Sequence, residues 1–165
     1  MEMSAFSPIH SYVLGAASVG LGMHAFFRPR QEYARFGLPL EPSLSLPPVT
    51  KTTTHPGPTV KDTTDVQATG EGGSASPLIY LKGVREVTYG VALVALQHQD
   101  NAAGVTIVAG VMALAAVGDG LLVWFYGNNE TKAWGHWAAA VGLGSWAAWR
   151  AFVAYGEWAA FHALN

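Results

Sequence analysis

Cysteine is absent from this 165-residue chain. That excludes disulfides, thiolate catalysis and cysteine-ligated zinc or iron–sulfur sites, while leaving the compartment open. Charge is scarce as well: 12% of residues are Asp, Glu, Lys or Arg, about half the share of a soluble domain. The formal net charge is −2 and no basic tract is present, so nucleic acid is not an expected partner. There is no GxGxxG after a strand, no phosphate loop and no HExxH, so nucleotide and zinc-protease chemistry lack their usual binding elements. No internal repeat of solenoid length is present.

What the chain has instead is apolar blocks, half of all residues being hydrophobic. Four stretches, 7–27, 77–97, 102–126 and 133–155, are each long enough to cross about 30 Å of hydrocarbon as a helix. No Lys or Arg precedes the first, and His24 interrupts it, so it reads as a retained helix rather than a signal peptide. Arg28-Pro29-Arg30 stops it, and Ser76-Pro77 opens the second, because proline at the first helical position loses no internal bond. Gln97-His98-Gln99-Asp100-Asn101 and Gly127-Asn128-Asn129-Glu130 form the two short turns, with Gly127 placed to end the third helix. The loop 28–76 is rich in Pro, Thr, Gly and Ser and cannot bury a core. It is expected to be extended and partly disordered, apart from the apolar string Arg35-Phe36-Gly37-Leu38-Pro39 at the membrane surface. The expected fold is all-α: one domain, 1–165, forming an integral membrane four-helix bundle with a long Pro/Thr-rich loop between helices 1 and 2.

Basic residues set the orientation. Arg28, Arg30, Arg35, Lys51 and Lys61 lie in the first loop and Lys132 in the third, while the N-terminal tail and second loop have none. Loops 1 and 3 are therefore expected in the cytosol, and in a eukaryotic cell this multi-pass protein would sit in the endoplasmic reticulum. Arg150 dissents; with Glu157 and His162 it reads as a terminal solvated or interfacial group.

Six ionisable residues fall within or at the ends of these spans: His24, Lys82, Arg85, Glu86, Asp119 and His136. Each charge at bilayer depth costs about 2.5–3.5 kcal/mol near a helix centre, so such residues persist where they pair, snorkel or work. The antiparallel topology brings all six into one leaflet, about 5–15 Å below the interface at helical rise. Side chains from four helices at one depth can line one pocket. Lys82, Arg85, Glu86 and Tyr89 stand at i, i+3, i+4 and i+7 on one helical face. Lys82 and Arg85 lie near a helix N-terminus, where the macrodipole disfavours cations, so Glu86 or Asp119 is expected to hold them. Gly83, Gly118, Gly135, Gly142 and Gly144 would permit close helix approach, and glycine-rich faces also suit a homodimer.

Bland alternatives stand beside these readings. Lys82 and Arg85 could snorkel, Glu86 and Asp119 could lock helix register through ion pairs, and His136, between Trp134 and Trp137, could be a belt residue. A carboxylate beside a histidine and cations is nonetheless suited to proton transfer. Asp119 would serve as base or nucleophile, with Glu86, Tyr89 or His136 as proton donors. Arg85 and Lys82 would stabilise a developing oxyanion, and His24, Trp134 and Trp137 would bind substrate. Epoxide opening by water or an internal hydroxyl, isomerisation and cyclisation need only these parts, with no cofactor and no metal. A lipophilic small molecule would reach them laterally from the lipid bilayer. The rival readings are an oxygenase of an activated aromatic substrate and a non-enzymatic scaffold or transport subunit.

The strings Phe36-Gly37-Leu38-Pro39, Lys82-Gly83-Val84-Arg85-Glu86, Gly118-Asp119-Gly120 and Gly135-His136-Trp137 resemble a family of small four-span membrane proteins catalogued as a domain of unknown function (number 4267). Its pattern of Lys-Gly-x-Arg and an acid, then Gly-Asp, then a histidine maps onto Lys82, Gly83, Arg85, Glu86, Gly118, Asp119 and His136. The proline-rich insertion departs from the compact bacterial form and looks fungal. The family brings no activity with it; analogy with small fungal membrane enzymes of natural-product pathways only raises the prior for an enzyme.

Overall fold

The computed structural model describes residues 5–41, 74–127 and 129–164. Five helices follow in order: α1 (Pro8–Phe27), α2 (Pro29–Phe36), α3 (Leu78–His98), α4 (Ala102–Leu122) and α5 (Glu130–Ala163). A π-helical turn, Val123–Gly127, continues α4. The fold is all-α. Among the described residues the only β feature is a single bridge, Glu41 to Ser74, which joins the two ends flanking 42–73. The disorder expected of the long loop falls mostly on residues outside the described ones.

Small residues decide how α1 and α3 pair. The buried positions of α1 are Ser11, Gly15, Ser18, Gly22 and Ala25, alternating in steps of four and three, the spacing of one packing face. Gly83 and Gly90 answer them on α3. A Cβ on Gly15 would lie 2.9 Å from the Gly90 carbonyl oxygen, and one on Gly22 would lie 2.5 Å from that of Gly83. Only glycine lets the backbones approach this closely. Of the glycines singled out in sequence, Gly83 has this role. Gly118, Gly135 and Gly142 have open space at the Cβ position because they lie away from the helix seams, and Gly144 makes only an ordinary contact with Ala113.

On the other side, α4 packs against α5, whose buried Ala133, Ala140 and Ala147 repeat every seven residues. The two pairs join where α3 meets α4, around Leu93, Val105 and Met112. α1 and α5 face one another with little direct packing. The helix from Ala102 to Gly127 is long and apolar enough to cross a membrane.

Three differences from the sequence reading have clear causes. First, the loop carries a helix, α2, opened by Pro29 and closed by Gly37 at φ 110°, whose N–H donates to the Tyr33 carbonyl. Proline at the start and a left-handed glycine at the end are the two marks of a short helix. Tyr33 packs with Ala25 and Ile79, and Phe36 with Val123 and Ala133, so α2 caps one end of both helix pairs. Second, α5 runs past residue 155 to Ala163, giving 34 residues and a length of about 51 Å; nothing in its Ala-rich continuation stops it. Third, Arg150 is not solvated but 1% exposed. It donates to the Thr106 hydroxyl and to the Ala5 and Ala102 carbonyls, at 3.0, 2.9 and 3.1 Å, and lies over the Phe6 and Trp146 rings. Acceptors in the first turns of α4 and in the segment before α1 thus supply what water would have supplied.

Candidate active site

The gap between α1 and α5 opens into a cavity of about 870 Å³ with α3 and α4 forming its back wall. Its edge includes Ile9 and Val13, 67% and 62% exposed, so it communicates with the surface between the two outer helices. Most of the wall is apolar. At the end nearer α2 it carries Lys82, Arg85, Glu86, Tyr89, Asp119 and His136, the six residues singled out for chemistry in the sequence.

A guanidinium shared by two carboxylates forms the centre. Arg85 Nη1 and Nη2 donate to Asp119 Oδ1 and Oδ2 at 2.9 and 2.6 Å, and Nη2 also reaches Glu86 Oε1 at 3.2 Å. The fork matches both Asp119 oxygens, the strongest geometry for such a pair. Asp119, 6% exposed, is therefore firmly held, whereas Glu86 has one longer contact and is the freer carboxyl. His136 Nε2 lies 3.1 Å from the Phe36 carbonyl oxygen. A carbonyl can only accept, so Nε2 carries the proton and Nδ1 of the neutral ring is an acceptor.

Lys82 leads to a second set of contacts behind the first. Its Nζ donates to Glu32 Oε1 at 2.9 Å and sits 5.4 Å from the Phe36 ring centre. Glu32 Oε2 accepts from His24 Nδ1 at 2.9 Å, with Arg35 at 3.7 Å. Burial alone would raise the Glu32 carboxyl, but hydrogen bonds and charge from Lys82, then His24 and Arg35, outweigh it and hold the group below the usual carboxylate range. Glu32 is 2% exposed and ties α2 to α1 and α3. Sequence reading missed it because α2 was folded into the loop; Pro29, Glu32 and Gly37, spaced as a capped helix, were the available signal.

His24, Trp134 and Trp137, expected at the substrate, do not line this cavity. His24 is engaged by Glu32. Trp137 packs against Gly120 and edge-on to Trp134. Conversely, His10 and Trp146 line the end remote from the charges, and nothing in their local sequence marked them. No three His, Asp or Glu side chains among the described residues converge in a way that would hold a metal ion.

Fold and site together define a class: a small all-helical protein whose two helix pairs enclose an apolar cavity closed at one end by a shared ion network. The chain belongs to the family described as Domain of unknown function (DUF4267), whose model matches residues 15–150. No curated protein and no solved structure matches it.

Proposed function

We propose that this chain is a four-span membrane enzyme that performs acid–base chemistry on a lipophilic small molecule, opening an epoxide by water or an internal hydroxyl, or isomerising its substrate. The supporting observation is that Lys82, Arg85, Glu86, Tyr89, Asp119 and His136 share one wall of a cavity that is otherwise apolar. Such a cavity is of the size that takes a drug-sized ligand. Large apolar side chains exposed on the outer surface, among them Leu81, Val91, Ile107, Leu114 and Val141, favour lipid as the surroundings of all four long helices. The charges that make α3 a poor span by composition face inward. The gap between α1 and α5 would admit substrate from the bilayer, with loops 1 and 3 on the cytosolic side of the endoplasmic reticulum.

Opening a strained ether requires one group to remove a proton from the attacking oxygen and another to protonate the departing one. Asp119 takes the first role, using lone pairs that the Arg85 fork leaves unused, and Glu86 delivers the proton. Arg85, bonded to both, keeps them in register and lets them exchange roles for the next turnover. His136, accepting a hydrogen bond at Nδ1, and Tyr89 orient the reacting oxygens. A comparison of metabolites by mass spectrometry between cells carrying wild type and Asp119→Asn, at matched membrane levels, tests the reading. A precursor lighter than the product by one water supports hydrolysis, and an isomer supports cyclisation or isomerisation. A difference of one oxygen points to an oxygenase instead.

One observation favours a second reading, that of a scaffold. The two-point Arg85–Asp119 pair is also what a register lock between α3 and α4 requires. Apolar replacements at Arg85 and Asp119 together, which leave neither charge buried alone, would preserve function in a scaffold and abolish it in an enzyme.

A further inference from the structure

The Arg85–Asp119 pair is reached from two cavities. The larger is bounded on α3 by Lys82, Arg85, Glu86 and Tyr89. A second, of about 380 Å³, takes Leu78, Leu81, Lys82 and Arg85 from the same helix, Asp119 and Leu122 from α4, Tyr126 from the π-helical turn and Tyr33 and Phe36 from α2. Lys82, Arg85 and Asp119 therefore form a partition with a chamber on each side. Leu81 and Tyr126, 66% and 72% exposed, place the smaller chamber's opening on the outer surface of α3 and α4, away from the gap between α1 and α5. Its walls are apolar and aromatic, and its polar end offers both a guanidinium donor and a carboxylate acceptor. A hydroxyl, which donates and accepts, is the group that satisfies both, and Tyr33, Phe36 and Tyr126 favour an aromatic body.

We infer that the smaller cavity is a second ligand site, taking a hydroxyl-bearing aromatic lipophile whose oxygen meets Arg85 and Asp119 from the side opposite the main substrate. This rests on the reading of the larger cavity as a lipophile site only in that both share one ion pair. It adds that two ligands can flank that pair at once.

The test uses the full chain in phosphatidylcholine nanodiscs, with a fluorinated naphthol as probe and fluorine NMR as readout, empty discs serving as the blank. Two protein-bound resonances are expected. Leu122→Trp and, independently, Leu81→Trp fill the smaller cavity from its lipid-facing side and should each weaken one resonance at least about tenfold while sparing the other. Glu86→Gln, which borders only the larger cavity, should shift the spared resonance alone, and Asp119→Asn should shift both. A single resonance that responds to Glu86→Gln and not to either tryptophan overturns the inference while leaving the proposed function standing. A single resonance with the reverse response supports the second site and counts against the larger cavity as a lipophile site. Absence of any protein-bound resonance overturns both.

Discussion

Replacing Glu32 by glutamine removes the anion that holds Lys82 and His24 while keeping the shape of the side chain. Lys82 has a side chain only 13% exposed and, among the described residues, no other carboxylate within ion-pair distance. Hydrogen bonds to charged groups are worth about 1.5–3 kcal/mol and neutral ones about 0.5–1.5. With Lys82 the chief partner, the loss should be about 2 kcal/mol; Arg35, 57% exposed on its side chain, adds little because solvent screens it. For a chain of this length that corresponds to a fall in Tm of about 4–8 °C, measurable by thermal unfolding of the purified protein in detergent. The pH dependence has a definite sign. The folded pKa of Glu32 lies below its ordinary value of 4.5, so its contribution is full above that value and fades as pH falls toward the folded pKa. The gap between wild type and Glu32→Gln should therefore be constant from neutral pH to about 5 and narrow below it. Adding Lys82→Met to Glu32→Gln should recover part of the loss, since no buried cation is then left unpaired. Equal stability of the single variant and wild type at neutral pH, or a gap that widens on acidification, would refute the account of α2 as pinned by this carboxylate.

Two further outcomes follow from packing. Gly22→Val should destabilise by about 2–3 kcal/mol, because its side chain meets the Gly83 carbonyl and Val87 and forces α1 from α3. Gly20→Ala, with open space at its Cβ, should stabilise by about 0.5–1 kcal/mol through helix propensity; thermal unfolding of both variants checks the contrast. Arg150→Met keeps helix propensity but removes the donor to the buried Ala5 carbonyl, while the Ala102 carbonyl keeps the Thr106 hydroxyl. It should cost about 1–3 kcal/mol, the range for one buried acceptor left unsatisfied, and hydrogen exchange should rise in the first turn of α4.

The long helices were legible because apolar runs, proline starts and polar turns are local signals; α1, α3 and α4 taken with its π-helical turn begin and end within a residue or two of the expected positions. Helical rise and antiparallel order placed His24, Lys82, Arg85, Glu86, Asp119 and His136 in one leaflet; the cavity wall carries the last five together with Tyr89, while His24 turns to Glu32 instead. What escaped depends on contacts distant in sequence. The burial of Arg150 needs Ala5 and Thr106, and Glu32 acquires its meaning from Lys82, fifty positions away. The glycine seam of α1 also had a local pattern, steps of four and three through Ser11, Gly15, Ser18, Gly22 and Ala25, but its significance appears only once α3 lies against it. His10 and Trp146 look like ordinary helix residues until α1 and α5 stand on either side of a cavity.

Glu86→Gln is the most direct test of the central claim, because it removes a proton carrier while leaving the two-point Arg85–Asp119 pair intact. The account predicts a protein with thermal stability within about 1 kcal/mol of wild type, the loss of one weak ionic contact, and cells in which a lipophilic precursor accumulates at matched membrane levels. A folded Glu86→Gln protein whose cells show an unchanged metabolite profile would contradict it and leave the charged cluster as a lock between helices.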